Sequence, residues 1–444
     1  MNVAIIGGGW AGMAAAVQAT QDGHHATVFE ASRAMGGRAR GLNGTLPDGS
    51  PIVLDNGQHI LIGAYVETLR LMRLVGVDPE LALARLPLAL RFRDGSGLAM
   101  RHGRAPWDVL AGIATARGWR WRDRLALLRS AIGWRLGGFQ CPASTTVAQL
   151  CAALPAKLRG EFIEPLCAAA LNTPADRASG EVFLRVLRDS LFAGQGSSDL
   201  LLPTVDLGAL FPDAAARWLQ AQGGEIRMGQ RVQALRWAPA QARASAAMQW
   251  HVNDEAFDCV ILATSASDAA STLAASILTA PEAIARELQD WTGIARALRF
   301  EAITTVYALA APGAGARALL PCPMLALRSS ADPARTAPAQ FVFDRGQLGG
   351  PASLLAFVIS TSNGDRADLQ AQVVAQARSE LGLQVEPVQT IVEKRATFAC
   401  TPDLVRPPAR IAPGLLACGD YIEGPYPATL EGATRSGVAA AQLL

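Results

Sequence analysis

The hydrophobic pattern at the beginning of the chain predicts a strand, a glycine-rich turn, a helix and a second strand. Residues 3–6 form a short apolar run that is typical of a buried parallel strand, and glycines follow at positions 7, 9 and 12. Met13 to Gln21 is compatible with a helix, and a second apolar run, residues 26–29, ends at Glu30. This order of elements predicts one βαβ half of a dinucleotide-binding fold.

The glycine spacing gives this unit a chemical role. Gly7 permits a tight turn, Gly9 lets the backbone approach a pyrophosphate, and Gly12 allows the helix to pack closely on the strand. The N-terminus of the helix offers unpaired N–H groups to phosphate, and Glu30 can accept a hydrogen bond from a ribose hydroxyl. We therefore predict a dinucleotide site here, with an ordinary turn as the alternative.

Apolar and polar positions further along the chain predict the remaining helices and strands. The predicted helices are Tyr65 to Val75, Thr146 to Phe192 with breaks at Pro155, Pro165 and Pro174, Asp206 to Gln222, and a closing helix from Leu430. The predicted strands are Ile52 to Asp55, a hairpin from Leu88 to Met100 that turns at Asp94-Gly95, paired strands within residues 223–232, Phe257 to Thr264, Leu354 to Ser360, and Gly414 to Asp420. The strand at 257–264 ends in small residues, as strands that rejoin a nucleotide-binding sheet do.

Composition limits the function classes. The chain has 444 residues, which favours two or three domains, and 50% of them are hydrophobic while 18% are charged. Such a chain can line a large apolar cavity, but its scarcity of lysine beside abundant arginine also indicates genome bias, so composition alone does not establish a lipid substrate. A net charge of +2 gives no reason to expect nucleic acid as a partner.

The cysteines and the apolar runs indicate the compartment. The seven cysteines are scattered and none forms a Cys-x-x-Cys pair, which favours buried thiols in a reducing compartment and no metal site. The first apolar run is needed as a strand, so no signal peptide is expected. The longest apolar candidate, Ala302 to Leu327, is interrupted by three prolines and is expected to form strands and loops. We therefore expect a cytoplasmic protein, with peripheral contact to the inner face of the cytoplasmic membrane as a further possibility.

That possibility comes from residues 104–135. This segment holds seven arginines against Asp108 and Asp123, and four of the nine tryptophans of the chain, at positions 107, 119, 121 and 134. Basic helices with tryptophan lie in the headgroup region of membranes. The alternative is a helix whose tryptophans pack on the domain while its arginines are solvated. If the segment binds a bilayer, Trp119 and Trp121 are the expected contacts.

Two further motifs flank the middle of the chain. Gly36-Gly37-Arg38 follows the second strand, where backbone and a guanidinium could meet a pyrophosphate. Near the other end, the strand that begins at Gly414 finishes in Gly419-Asp420, whose carboxylate can bind sugar hydroxyls.

Together these motifs resemble the FAD-dependent amine oxidase and phytoene desaturase superfamily. Within it, residues 55–63, 164–174, 182–191 and 426–433 resemble the squalene-associated group, the hydroxysqualene dehydroxylases. The resemblance implies FAD as the cofactor and an α/β fold, in which a Rossmann-type FAD-binding domain of the GG-doublet flavoproteins is interleaved with an α+β substrate domain. The expected FAD-binding parts are residues 1–75, 204–271 and 396–444, the helical and hairpin region that faces substrate or membrane is 76–203, and the sheet and helices of the substrate domain are 272–395.

The resemblance also implies roles for particular residues. The glycine loop would cradle the FAD pyrophosphate, Arg38 would contact the phosphates, Asp420 would bind the ribityl–pyrophosphate region, and the turn at Thr429-Leu430-Glu431 would approach the N1/O2 edge of the flavin. The implied cofactor residues are Gly7, Gly9, Trp10, Ala11, Gly12, Glu30, Ala31, Gly37, Arg38, Gly57, Gln58, His59, Val232, Gly419, Asp420, Thr429 and Leu430.

The family chemistry implies that hydroxysqualene loses its hydroxyl group and receives hydride from reduced FAD, giving squalene, water and oxidised FAD. An allylic hydroxyl leaves more easily when it is protonated, so a proton donor is needed, and His59 and Tyr426 are the candidates. The implied partners are a C30 isoprenoid and an unidentified electron donor. A phytoene-type desaturase, which moves hydride in the opposite direction, and a non-enzymatic isoprenoid escort protein stay open as alternatives.

Overall fold

The computed structural model describes residues 1–100, 107–239, 248–311, 318–329 and 337–444. Arg104, which belongs to the predicted basic segment, lies outside the described residues. The helices are α1 (Trp10–Gln21), α2 (Val66–Leu74), α3 (Pro79–Ala82), α4 (Trp107–Thr115), α5 (Trp121–Leu136), α6 (Val147–Leu150), α7 (Ala156–Leu158), α8 (Glu164–Leu171), α9 (Gly180–Leu191), α10 (Leu207–Leu210), α11 (Pro212–Ala221), α12 (Ala266–Ile277), α13 (Glu282–Ala297), α14 (Arg366–Gln376) and α15 (Leu430–Ala441).

The strands run through the whole chain and form two main sheets and several small ones. They are β1 (Asn2–Ile6), β2 (His25–Glu30), β3 (Gly41–Thr45), β4 (Pro51–Asp55), β5 (Leu61–Ile62), β6 (Leu83–Leu86), β7 (Ala89–Arg91), β8 (Gly97–Ala99), β9 (Leu200–Pro203), β10 (Glu225–Met228), β11 (Leu235–Pro239), β12 (Met248–Val252), β13 (Glu255–Phe257), β14 (Cys259–Leu262), β15 (Phe300–Ala310), β16 (Met324–Ala326), β17 (Phe341–Asp344), β18 (Leu354–Ile359), β19 (Val385–Phe398), β20 (Arg410–Ala412) and β21 (Leu415–Ala417).

The first main sheet confirms the predicted βαβ unit and joins three distant parts of the chain. Its strand order is β10-β2-β1-β14-β21-β20, and all neighbours are parallel except the last pair. Val3 lies opposite both Ala26 of β2 and Cys259 of β14. The strand predicted at 257–264 therefore does rejoin the nucleotide-type sheet. The domain boundaries within the chain stay predictions.

The two ends of the chain pack on each other through small residues. Helix α1 is rich in alanine and almost entirely buried. Helix α15 crosses it so closely that a Cβ at Gly437 would lie 2.2 Å from the carbonyl oxygen of Ala11. Only glycine permits this approach, and it holds the C-terminal helix beside the glycine-rich turn.

The second main sheet is antiparallel, in the order β16-β17-β18-β15-β19. One face carries Val342, Leu355 and Phe357, which are buried in a cluster with helix α14. Alternate residues point to the other side of a strand, and there Phe341 lies opposite Val358 while Phe343 lies opposite Met324. This second face is the one turned to the site described below.

The predictions for the hairpin at 88–100 and for the helix at 65–75 are confirmed by β7 with β8 and by α2. The expected helix break at Pro165 is wrong. Pro165 is the second residue of α8, and a π-helical segment at Arg159–Ile163 joins α8 to α7 without a gap, so the chain passes this proline without leaving the helix.

Two other predicted elements are also corrected. The single helix expected at 206–222 is split into α10 and α11 at Phe211, whose φ of −152° precedes Pro212 and is not helical. The paired strands expected within 223–232 are one strand, β10, which pairs in parallel with β2 at the edge of the first sheet. Pro212 is a local signal for the first correction, whereas the second depends on the pairing of β10 with β2, which no local pattern shows.

The tryptophan-rich segment forms α4 and α5, and its tryptophans differ in their exposure to solvent. Trp119 is 4% exposed and packs edge to face on Phe162, with ring centroids 5.9 Å apart, so the expectation that Trp119 contacts a bilayer is wrong. Trp107 and Trp121, by contrast, are 72% and 68% exposed. Among the described residues, no helix has the length and apolar character needed to cross a membrane.

Candidate active site

A cavity of about 990 Å³ lies between the two main sheets and gathers nearly all of the predicted site residues. One part of its wall comes from the first sheet and the loops that follow its strands, the other from α8, α9 and the second sheet. The predicted residues that line it are Gly7, Gly9, Trp10, Ala11, Glu30, Ala31, Gly37, Arg38, Gly57, Gln58, His59, Val232, Gly419, Asp420, Tyr426, Thr429 and Leu430.

The glycine-rich turn has the shape that a pyrophosphate requires. A Cβ at Gly12 would lie 1.9 Å from the carbonyl oxygen of Gly7, so Gly12 acts by packing α1 on β1 and is not itself in the cavity wall. A Cβ at Gly9 would instead meet no close neighbour, since Gly37 Cα at 3.9 Å and the carbonyl oxygen of Gly36 at 4.0 Å are its nearest contacts. The turn is therefore bare on the cavity side, at the N-terminus of a helix, and fits the phosphates of FAD.

Glu30 is fixed beside this turn by backbone donors. Its Oε2 accepts a hydrogen bond of 2.7 Å from the N–H of Gly8, and its Oε1 accepts one of 2.7 Å from the N–H of Ser32. The carboxylate is thus oriented by the backbone, and its contact with the adenosine ribose stays a prediction.

Two of the predicted cofactor residues, one from each end of the chain, form an ion pair. Arg38 pairs with Asp420, and its other terminal nitrogen donates to the carbonyl oxygen of Ala396 at 2.8 Å. Asn56 donates to the carbonyl oxygen of Arg38 at 3.1 Å and to Glu393 at 3.2 Å. Arg38 and Asp420 therefore lie beside each other in the cavity wall, and their contacts with the phosphates and the ribityl chain stay predictions.

The loop at Gly57–His59 is anchored by the buried guanidinium of Arg345. Arg345 is 8% exposed, donates to Gln58 Oε1 at 3.2 Å and lies 3.9 Å from Asp55. Asp55 accepts a hydrogen bond of 2.8 Å from the N–H of Leu207, and burial raises its pKa to about 6 although Arg345 opposes that shift. Neither Asp55 nor Arg345 lines the cavity.

His59 is oriented by its own loop. Its Nδ1 lies 2.7 Å from the carbonyl oxygen of Gly57. Since a carbonyl only accepts, Nδ1 carries the proton and Nε2 of the neutral ring is left as an acceptor. Burial lowers the pKa of His59, and the positive charge of Arg38 lowers it further. The neutral ring is therefore the dominant form at pH 7.

Tyr426 lies in the cavity wall beside Asp189 of helix α9. Burial raises the pKa of its phenol, and the neighbouring carboxylate of Asp189 adds to that shift. The guanidinium of Arg435 lies over the ring, 4.9 Å from its centroid. The phenol thus keeps its proton throughout the neutral range.

Two residues of the turn before α15 line the cavity, while their approach to the flavin edge stays a prediction. Thr429 caps α15 by accepting from the N–H of Gly432 at 2.9 Å, and Leu430 follows it in the wall. Glu431 does not approach the cavity. Its side chain is fully buried and binds the N-terminus of α2 through the backbone N–H groups of Glu67 and Thr68, at 3.0 and 2.9 Å.

The structure adds residues that have no predicted role. Helix α9 presents Val182, Arg185, Val186 and Asp189 to the cavity, and their helical spacing was the signal that could have identified a common face. Much of the remaining wall is apolar and is contributed by the region of β7, the π-helical segment before α8, α8, α9, β9 and the second sheet. These apolar residues include Leu88, Leu90, Phe162, Leu166, Leu171, Val182, Val186, Leu187, Leu191, Leu200, Ile303, Met324, Phe341, Phe343 and Val358.

A Rossmann-type sheet with a bare glycine turn, joined to an antiparallel sheet that closes over a large apolar cavity, defines the class of FAD-dependent oxidoreductases. The chain belongs to the family of flavin containing amine oxidoreductases, whose model matches residues 10–444.

Three comparisons place the chain within that class. It is 27% identical to a hydroxysqualene dehydroxylase of Rhodopseudomonas palustris, over 100% of this chain and 98% of the relative. It is 37% identical to a zeta-carotene desaturase of Synechocystis over 83 residues, which are 19% of this chain and 16% of the relative. The crystal structure of an oxidoreductase from Methanosarcina mazei has the same fold, with a TM-score of 0.70, 17% identity and complete coverage of both chains.

Proposed function

We propose that this enzyme reductively dehydroxylates hydroxysqualene to squalene. The observation that carries the proposal is the likeness to a hydroxysqualene dehydroxylase along the entire chain, including the substrate half. The likeness to a zeta-carotene desaturase covers 83 residues. The apolar wall supports the proposal as well, because a C30 hydrocarbon needs a long surface without unpaired polar groups.

FAD, once bound along the glycine turn, supplies hydride chemistry. The chain contributes the rest. The replacement of a C–OH bond by a C–H bond consumes one hydride and one proton and releases water. Gly7, Gly9, Glu30, Arg38 and Asp420 would hold and orient the cofactor, and the apolar side chains of α8, α9 and the second sheet would keep water from the reacting carbon.

A proton must reach the leaving hydroxyl, and two groups in the wall are suited to supply it. Tyr426 stays protonated at neutral pH and has Asp189 beside it to stabilise the phenol in one orientation. His59 is a donor only in its protonated form, which its lowered pKa makes scarce near pH 7. In its neutral form Nε2 can instead hold a water molecule or the substrate hydroxyl by accepting a hydrogen bond.

Product analysis tests the proposed function. Purified protein with bound FAD is reduced with dithionite under anaerobic conditions and incubated with hydroxysqualene, since the physiological electron donor is not identified. Squalene is the expected product, and oxidised protein without reductant is the control that should form none. Failure to form squalene, together with dehydrogenation of phytoene by the oxidised protein, would instead establish a desaturase. Protein that purifies without flavin absorbance would support the isoprenoid escort alternative.

The role of His59 has its own prediction. His59→Ala should slow squalene formation by roughly 10²-fold or more if the imidazole donates the proton, while the bound flavin keeps its absorbance. Because the pKa of His59 is lowered, a donor role also requires that the wild-type rate rises as pH falls below neutrality and that the variant loses this rise. The comparison variant Tyr426→Phe removes a phenol proton that is present throughout the neutral range. It should therefore lower the rate of squalene formation by the same factor at each pH and leave the pH dependence of that rate unchanged. A His59→Ala rate close to that of wild type would remove His59 from the mechanism.

A further inference from the structure

Helix α5 carries a stripe of apolar side chains on its solvent face. Trp121, Leu125, Ile132 and Leu136 are 68%, 44%, 48% and 83% exposed. They recur at i, i+4, i+11 and i+15 and therefore share one side of the helix, within an arc of roughly 60°. A helix on a globular domain ordinarily turns such a stripe to the core, so this one is arranged for contact with something outside the chain.

Positive charge borders the stripe. Arg122, Arg129 and Arg135 are exposed and lie at its two edges. Asp123 is the single acidic residue within α5, and it is buried at the helix start, where it accepts from the N–H of Arg120 at 2.9 Å. The exposed face of α5 is therefore apolar along its middle and purely cationic at its margins.

The stripe begins next to the apolar cavity. Trp119, two residues before Trp121, packs on Phe162, and Phe162 is part of the cavity wall. Trp107, at the start of neighbouring α4, is also exposed. The exposed apolar stripe of α5 thus begins next to a residue that packs directly on the cavity wall.

We propose that the exposed stripe of α5 and its bordering arginines dock this enzyme on a lipid bilayer that contains anionic headgroups. The stripe would lie at the boundary between headgroups and acyl chains, and the arginines would meet the headgroup phosphates. A second copy of the chain fits this surface less well, since a two-fold contact would bring the arginines of both copies together. The delivery of substrate from the bilayer to the cavity rests on the proposed function, whereas the docking itself does not.

Vesicle flotation tests the docking without any substrate. Protein with bound FAD is mixed with vesicles of phosphatidylcholine alone or of phosphatidylcholine with phosphatidylglycerol, at low and high salt. We expect binding to the vesicles with phosphatidylglycerol that weakens as salt rises. The double variant Trp121→Ser and Leu125→Ser should weaken partition roughly tenfold or more, and each of Arg122→Gln and Arg129→Gln should weaken it about fivefold.

Matched variants separate this surface from exposed apolar and charged residues elsewhere. Leu278 is 86% exposed at the end of α12, and Arg286 lies exposed on α13, so Leu278→Ser and Arg286→Gln should leave partition unchanged. Absence of vesicle binding, or binding that the α5 variants do not reduce, would overturn the proposal. A dimer of the wild type that the α5 variants abolish, without vesicle binding, would assign the face to subunit contact instead. Vesicle binding with no squalene formed would contradict only the proposed function.

Discussion

Replacement of Gly12 by alanine should release FAD and lower the free energy of unfolding by about 2 kcal/mol or more. The added Cβ would lie 1.9 Å from the carbonyl oxygen of Gly7 and 3.0 Å from the Cβ of Ala263. The first neighbour is a backbone atom that cannot rotate away. Helix α1 would have to move off β1 and β14, and its N-terminal N–H groups would leave the position from which they can bind a pyrophosphate. The ratio of flavin to protein absorbance and the thermal unfolding temperature measure the two effects.

Gly293→Ala is the matched control for this substitution. Gly293 lies within α13, and a Cβ built on it meets no other atom within 4 Å. Alanine is the better helix former by about 1 kcal/mol, so this variant should keep its FAD and unfold at the same or a slightly higher temperature. A Gly12→Ala protein with full FAD content and unchanged unfolding temperature would show that α1 does not depend on this close approach.

The N-terminal part of the fold could be predicted because its signals are local. A short apolar strand, three glycines and a helix follow each other within a few residues, and Gly7 and Gly12 each have a steric reason to be there, because a Cβ at either would lie less than 3 Å from a backbone oxygen. Pro165 shows the limit of such reasoning. The sequence indicates that a proline breaks a helix interior, but Pro165 is accommodated where a π-helical segment runs directly into α8, and a local pattern does not show such a segment.

The cofactor half of the site was more predictable than the substrate half for the same reason. Backbone contacts with a phosphate need particular glycines at particular spacing, so Gly7 and Gly9 are visible in the sequence. Helical spacing places Arg185 and Asp189 on one face of α9, but it does not show that this face is turned to a cavity, because a charged residue on a helix is ordinarily solvated. Only the packing of α9 against the cavity turns these two side chains inward. Trp119 and Trp121 make the same point, since they are two residues apart and one is buried while the other is exposed.

Glu431 shows how a site can depend on a residue that does not touch it. Its carboxylate accepts hydrogen bonds from the first turn of α2 and from the hydroxyl of Thr68 at 2.7 Å, and it pairs with Arg435 at 2.6 Å. The turn that brings Thr429 and Leu430 to the cavity immediately precedes it. Glu431 therefore ties this turn to α2, a helix from the other end of the chain.

Glu431→Ala should lower the free energy of unfolding by about 3 kcal/mol or more, because it leaves buried N–H groups at the start of α2 without an acceptor and removes the partner of Arg435. Glu431→Gln keeps one acceptor oxygen and should lose about half as much. Urea denaturation of the protein with bound FAD measures the loss.

The matched control is Glu282→Ala. Glu282 and Arg286 have the same spacing as Glu431 and Arg435, but the Glu282 side chain is 90% exposed, so the loss should be under about 0.5 kcal/mol. Equal losses for the two alanine variants would mean that the burial of Glu431 contributes nothing. Glu431 itself does not line the cavity. If Glu431→Gln remains folded but binds FAD more weakly, the hydrogen bonds between Glu431 and α2 therefore position the turn at Thr429-Leu430 for the cofactor.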